Sequence, residues 1–314
     1  MADKNNTGNT RFHAEKHSIT ANFRAFLDNA ARRMLPPIAM LTIKKPASLQ
    51  GGFFLLLLAG FLAGCADPGP RALLEGEQLL AQKKYTNAIV KLTRATELLP
   101  QNAQAQNHLG LAYHHAGMPN QAFEAYQQAI RLDRNLAAVR FNLGCLLLEQ
   151  QRYAAAANEL ATAATLQPRH LEAWLKLGTA QLRQAPLSGA EKNQWLDAAR
   201  KSFEASLQLS PTAEAYNSLG VIEVQRSRAR DALKLFNSAL QKDPHYPASL
   251  LNLAIVYQHH LNDPRAALQK YREYLAAQPR SGRFKEIEQT ARQLDLALSP
   301  PAQPAVPPVV QAPP

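Results

Sequence analysis

The stretch from 109 to 133, LGLAYHHAGMPNQAFEAYQQAIRLD, has the pattern of two short amphipathic helices joined by a tight turn. Apolar and small residues recur at spacings of three and four, which places them on one face of each helix. Between the two segments, Gly117, Pro119 and Asn120 interrupt the helical pattern. Because neither helix could bury its apolar face alone, each is predicted to pack on neighbours of the same kind.

The same pattern recurs along the chain with a period of 34 residues, lengthened once to 42. A small residue marks each first helix: Gly76, Gly110, Gly144, Gly178, Gly220 and Ala254. Alanine and a bulky residue four positions later mark each second helix: Ala88/Leu92, Ala122/Tyr126, Ala156/Leu160, Ala199/Phe203, Ala232/Phe236 and Ala267/Tyr271. A proline closes most units: Pro100, Pro168, Pro211, Pro244 and Pro279. Six such units predict an all-α array with a continuous strip of core, since each unit packs only on its neighbours.

This pattern resembles the tetratricopeptide repeat, in which W-x2-L-G-x2-Y is followed by A-x3-F and a closing proline. Trp174, Leu177 and Gly178 match the opening of that motif, and residues 109–113 match it again. The resemblance covers residues 69–298, about three-quarters of the chain. It implies an all-α, right-handed superhelical solenoid of about six helix-turn-helix units with a cap helix at 283–298.

Two parts of the array depart from the repeat. The first unit, 69–102, has Glu75 where an apolar residue is expected, as is typical of terminal units. The fourth unit has about nine extra residues at 185–193, whose proline, serine and glycine predict a surface loop between its two helices. That loop is either functional or a tolerated insertion. The proline-rich residues 299–314 are expected to form an extended tail, as a spacer or as a ligand for a partner.

The N-terminal part has the features of a secretory signal at 40–64. Lys44 and Lys45 precede an apolar run and then small residues, in the order that signals have. The apolar run has about 11 residues, whereas about 20 are needed to span a bilayer. Because a full signal fits from Met40, residues 1–39 are interpreted as an extension ahead of the true start.

The signal ends in Leu62-Ala63-Gly64-Cys65, which resembles a bacterial lipobox. In that family the cysteine becomes the mature N-terminus and carries acyl chains such as palmitate. Two or three chains hold a protein stably on a bilayer. The resemblance implies lipidation of Cys65 and a short linker at 65–68. It also implies an anchor in the bacterial outer membrane facing the periplasm, because the aspartate stands two residues after the cysteine, at Asp67, and not directly after it. An ordinary cleaved signal or a buried thiol at Cys65 is the alternative.

The sequence has no catalytic motif: no glycine-rich phosphate loop, no HExxH and no CxxC. The pairs His114/His115 and His259/His260 are adjacent, so their side chains point about 100° apart on a helix and cannot share a metal. The net charge of +11 comes from scattered basic residues with few aromatics between them, which disfavours nucleic-acid binding. We therefore expect no enzyme activity, no metal and no cofactor. Cys145 is interpreted as a small packing residue.

In the tetratricopeptide family, positions two, five, nine, twelve and thirteen of the first helices line a groove that binds proteins or peptides. The resemblance carries this role onto Asn107, Leu111, His114, Phe141, Cys145, Leu148, Leu175, Thr179, Arg183, Asn217, Val221, Gln225, Leu251, Ile255 and His259. Each could instead be ordinary packing or solvated surface. The family's carboxylate clamp requires lysine and arginine at positions that here hold Leu73, Glu77, His108, Ala138 and Asn142, so chaperone-tail binding is not expected.

The sequence therefore indicates a lipid-anchored envelope scaffold that binds partner proteins. By resemblance, such arrays include assembly lipoproteins of type IV pili, which help secretin rings to form. Two alternatives stay open. One is a scaffold for exopolysaccharide export or outer-membrane protein assembly, and the other is an accessory subunit of a cell-wall enzyme.

Overall fold

The computed structural model describes residues 67–186, 188–277 and 282–299. The chain divides into two units, Met1–Cys65 and Ala66–Pro314. The first unit lies outside the described residues, and with it the predicted extension, signal and lipobox, including Cys65. The proline-rich tail from residue 300 onward also lies outside them.

Thirteen helices and no strand occur in the described residues. They are α1 (Pro68–Ala81), α2 (Tyr85–Leu98), α3 (Ala103–His115), α4 (Pro119–Leu132), α5 (Ala137–Glu149), α6 (Tyr153–Leu166), α7 (Leu171–Gln184), α8 (Ala190–Leu209), α9 (Ala213–Gln225), α10 (Ala229–Lys242), α11 (Pro247–His259), α12 (Pro264–Ala276) and α13 (Phe284–Leu298). The odd-numbered helices up to α11 are the first helices of six units, and the even-numbered helices are the second. Helix α13 follows the last unit as a cap.

Local sequence signals explain several of these bounds. The Asn102 side chain accepts a hydrogen bond from the Ala105 N–H at 2.9 Å, which caps the start of α3. Asp263 does the same for Ala266 at 3.0 Å at the start of α12. Four second helices end two residues before a predicted closing proline, because proline lacks the N–H that would continue the helix. These are α2, α6, α8 and α10. Pro279 lies outside the described residues.

The core is built from contacts between a small residue and a bulky one. In five units the glycine of the first helix lies against the bulky residue of the second helix. A Cβ added to Gly110 would lie 2.6 Å from the Tyr126 ring, and one added to Gly178 would lie 2.8 Å from the Phe203 ring. Both rings are fully buried. In these five units the small and the bulky residue that mark the repeat therefore pack against each other.

Each helix packs on the next one along the chain. In addition, the first helices of neighbouring units contact each other throughout, from α1–α3 to α9–α11. Among the described residues, second helices of neighbouring units make no such contact. The first helices therefore form a continuous inner layer, and the predicted all-α solenoid of six units is confirmed.

The first unit has a polar outer face, which explains its departure from the repeat. Positions three, seven and ten of the first helices are buried in the later units, but in α1 they hold Arg71, Glu75 and Gln78. Glu75 pairs with Arg71 at 3.0 Å and with Lys91 of α2 at 2.7 Å. The predicted terminal unit thus has polar residues and ion pairs at positions that are part of the buried core in the internal units.

The prediction of a surface loop over 185–193 is wrong in its second half. Helix α8 begins at Ala190, so residues 190–193 are helical and only 185–189 connect the two helices. With 20 residues, α8 is longer than the other second helices. Leu196 is fully buried and Trp195 packs against the core, which anchors the added turns. Helix α1 likewise begins at Pro68, inside the predicted linker.

Candidate protein-binding groove

The structure places most predicted groove residues at the surface of the first-helix layer. Those at the C-terminal ends of their helices, Arg183, Gln225 and His259, are exposed. The half-buried residues are Leu111, His114, Phe141, Cys145, Leu148, Thr179, Val221, Leu251 and Ile255. These residues recur at the same positions of consecutive first helices, and the helices touch, so they lie along one face of the solenoid.

Three predicted groove residues lie inside the solenoid instead. Asn107 is 4% exposed, Leu175 is 6% and Asn217 is 9%. This burial leaves them little surface with which to contact a partner. Leu175 belongs to a core cluster with Leu196 and Phe203.

The two buried asparagines connect consecutive first helices. The Asn142 amide donates to Asn107 Oδ1 at 2.9 Å, and the Asn252 amide donates to Asn217 Oδ1 at the same distance. Asn217 Oδ1 also accepts from the Ser249 hydroxyl at 3.0 Å. Because a buried amide without a partner is costly, these bonds fix the spacing of neighbouring first helices.

The floor of the groove in units four to six is aliphatic. Val221 on α9 and Ile255 on α11 are half-buried. Leu182 and Val224 were not among the predicted residues, although each occupies position twelve, which the family pattern names. Both are half-buried and pack against the cores of their units. This half of the face offers a strip of apolar surface.

The other half, in units one to three, is the more polar: beside half-buried side chains such as Phe141 it has polar groups that pair with one another. His114 Nε2 lies 2.9 Å from Glu149 Oε2, and His108 Nδ1 lies 3.0 Å from Glu77 Oε1. Burial lowers the pKa of His108, and the neighbouring Glu77 carboxylate opposes that shift. The His115 ring stacks on Tyr85, with centroids 5.0 Å apart. These contacts use groups that a partner would otherwise bind.

Cys145 lies on this face between the two halves, and burial raises the pKa of its thiol to about 11. At pH 8 the fraction of Cys145 present as thiolate is then about 100-fold below that of an ordinary cysteine. Because a thiolate of higher pKa is a stronger nucleophile, by about tenfold here, the net reaction rate falls about tenfold. We expect iodoacetamide to modify Cys145 about tenfold more slowly in the folded protein than in urea. Mass spectrometry of the Cys145 peptide measures both rates, and equal rates would contradict the expectation.

Tyr126 fills the space beside Gly110, but its buried hydroxyl has no hydrogen-bond partner among the described residues. Burial raises the pKa of this phenol. Because an unpaired buried hydroxyl is unfavourable, Tyr126→Phe is expected to stabilise the protein by about 1 kcal/mol in urea unfolding. The matched control is Tyr271→Phe, which removes a 2.7 Å hydrogen bond to Gln258 and should destabilise the protein. Destabilisation by both changes would show that Tyr126 has a partner.

A buried carboxylate, Glu223, was missed by sequence reasoning. It stands three residues after Gly220, where the repeat motif has tyrosine, and it is 2% exposed. Arg200 of the preceding unit forms an ion pair with it, and Arg228 lies 3.5 Å from its other oxygen. The tyrosine position of the motif was the only signal available. Glu223 joins units four and five through charge, at a position where units two, three and six have Tyr113, Leu147 and Tyr257.

Among the described residues, no three His, Cys, Asp or Glu side chains come close enough together to hold a metal ion. Nor does any helix in those ranges have the length and apolar character of a membrane span.

Several solved structures share this fold. Pseudomonas aeruginosa PilF aligns with a TM-score of 0.56 and 22% identity over 71% of this chain and 98% of its own. A chain of the APC/C hetero-tetramer Cut9–Hcn1 has a TM-score of 0.55 and 20% identity, over 76% of this chain and 45% of its own. YrrB, described as a TPR protein with an unusual peptide-binding site, has a TM-score of 0.50 and 17% identity, over 64% and 97%. At these identities the likeness shows the fold alone.

Sequence profiles give the family. A profile described as TPR repeat matches residues 76–117, and one described as tetratricopeptide repeat matches 103–136. A third, also described as tetratricopeptide repeat, matches 141–192, 189–247 and 219–282. No curated protein matches the chain at significant similarity. The profiles together span most of the six units, and the chain belongs to the tetratricopeptide repeat family.

Proposed function

We propose that this protein is a lipid-anchored scaffold of the bacterial envelope that binds partner proteins through the first-helix groove. The observation that carries the proposal is the aliphatic floor of units four to six. Apolar side chains such as Val221 and Ile255 recur on touching first helices and keep part of their surface exposed. A solenoid built from its own repeats alone has no need of apolar groups on this face, whereas a bound peptide would cover them.

Photocrosslinking in whole cells tests the groove. A photoreactive residue at Val221 is expected to capture one discrete partner, because its side chain lies on the floor and is still accessible. The control is the same residue at Lys201, which is exposed on the second helix α8. Leu175 is unsuitable because it is buried. Equal products from both positions, or none from Val221, would contradict binding through this groove.

Lipid anchoring rests on the LAGC motif and on the signal-like segment before it. Cells fed an alkyne-labelled palmitate should label the wild-type protein but not a Cys65→Ser variant. Unlabelled wild-type protein found in the soluble periplasmic fraction would contradict the anchor. Crosslinking at Val221 would still report on the groove, so the two parts of the proposal are tested separately.

For the pathway, we propose type IV pilus and secretin assembly. The lipobox, the resemblance of the sequence to assembly lipoproteins of type IV pili and the likeness in fold to Pseudomonas aeruginosa PilF support this choice. Exopolysaccharide export, outer-membrane protein assembly and support of a cell-wall enzyme are the alternatives. The protein captured at Val221 decides among them: a pilus or secretin subunit supports the first, and a polysaccharide synthase or cell-wall hydrolase supports the others.

A further inference from the structure

Two carboxylates stand at one edge of the aliphatic floor. Glu172 on α7 lies seven residues before Thr179, and Glu214 on α9 lies seven residues before Val221. Seven residues are close to two helical turns, so each glutamate shares a face with the floor residue that follows it. Glu172 is exposed and Glu214 is half-buried. The edge of the groove in units four and five therefore has two carboxylates, with Lys176 one turn away from the first.

Neither carboxylate forms an ion pair that would stabilise the described fold. Among the described residues, the ion pairs of the protein involve other glutamates and aspartates, and neither Glu172 nor Glu214 is within ion-pair distance of a basic group. Lys176 stands one turn after Glu172 but does not pair with it. By contrast, the carboxylates of the polar half, Glu77 and Glu149, both face histidines. The two glutamates without an ion pair thus lie in the same half of the groove as the partly exposed apolar floor.

The spacing of the two groups limits what can bind them. Helices α7 and α9 are in contact, and packed helices lie about 8–10 Å apart. Glu172 and Glu214 occupy equivalent positions, so their backbones are separated by about that distance. In a peptide in the polyproline II conformation, which has three residues per turn, residues three apart lie on the same side and about 9 Å apart. Two basic residues with that spacing can meet both carboxylates while the residues between them face the floor.

The opposite edge of the groove has a different charge. Arg183, in the last turn of α7, is exposed and forms no ion pair with a described residue. It lies eleven residues after Glu172, which is about 16 Å along the helix. A basic partner is therefore attracted to the glutamate edge and repelled from the arginine edge, which fixes its position across the groove.

We propose that the groove of units four to six binds an extended basic–apolar peptide with two lysine or arginine residues three positions apart. This inference rests on the proposed groove function and names the chemistry of its partner. The charge complementarity of Glu172 and Glu214 selects the basic residues, and Val221 and Val224 on the floor contact the apolar ones.

The probe is a synthetic ten-residue peptide rich in proline, leucine and valine, with two lysines three positions apart and a fluorophore at one end. Its affinity for the full-length protein is measured by fluorescence anisotropy in low salt. The double variant Glu172→Gln/Glu214→Gln is expected to bind it about three- to tenfold more weakly, as two exposed ion pairs allow. The matched control Glu124→Gln/Glu191→Gln changes two exposed glutamates that form no ion pair with described residues, and it should bind like the wild type.

A second peptide with glutamines in place of the lysines completes the test. The wild type should bind the glutamine peptide more weakly than the lysine peptide. The Glu172/Glu214 variant and the Glu124/Glu191 control variant should bind the glutamine peptide with equal affinity. No binding of the lysine peptide, or an unchanged affinity in the Glu172/Glu214 variant, overturns the inference. The Val221 crosslink decides separately whether the groove binds a partner of any chemistry, so the two failures are distinguishable.

Discussion

Replacing Arg200 by methionine is expected to lower the free energy of unfolding by about 3 kcal/mol. The change leaves the Glu223 carboxylate buried without its principal partner, since Glu223 is 2% exposed and Arg200 forms an ion pair with it. Arg228 lies 3.5 Å away but is more than half exposed, so it replaces Arg200 only in part. Urea unfolding followed by circular dichroism should show the midpoint falling by about 1 M or more.

The double variant Arg200→Met/Glu223→Leu separates the cost of an unpaired charge from the value of the pair. Because a buried ion pair can often be replaced by apolar groups without loss, the double variant is expected to be close to the wild type in stability. A matched control is Arg71→Met, which breaks an exposed pair with Glu75 and should have little effect. If Arg200→Met were as mild as Arg71→Met, Glu223 would be adequately solvated or paired elsewhere.

The parts of the fold that follow from one unit alone were predictable from sequence. The glycine of a first helix and the bulky residue of its second helix keep a fixed separation, so their contact recurs in Gly110/Tyr126 and Gly178/Phe203. The closing prolines end helices for a local reason, because proline lacks the N–H that would continue the helix. The six-unit register and the helix-only core followed from the same spacing.

The parts that depend on contacts between units were not predictable in the same way. Position five of the first helix was expected to face the groove, but Asn107 and Asn217 are buried, and an asparagine of the next unit donates to each. The start of α8 depends on where Leu196 finds a buried site, which a glycine- and proline-rich segment does not reveal. The partner of Glu223 stands in the preceding unit, at a separation that no repeat motif specifies.

Phe203→Ala is expected to lower the free energy of unfolding by about 3–5 kcal/mol, the cost of emptying a fully buried aromatic site. The Phe203 ring fills the space beside Gly178 and belongs to the cluster shared by units four and five. Because each unit is stabilised mainly by its neighbours, the loss should interrupt the core strip at that point. Amide hydrogen exchange is expected to speed up in α7 to α9 more than in α3 to α5.

Substitution of Gly178 tests the same packing site from the opposite helix. Gly178→Ala should destabilise the protein by about 1–2 kcal/mol, although alanine favours helix, because its Cβ would lie 2.8 Å from the Phe203 ring. Combined with Phe203→Leu, the added methyl group occupies space that the smaller side chain leaves, so the double variant should lose less than the sum of the single losses. Additive losses in this cycle would mean that the two positions do not share one packing site, and the repeat's glycine would then need an explanation other than close helix approach.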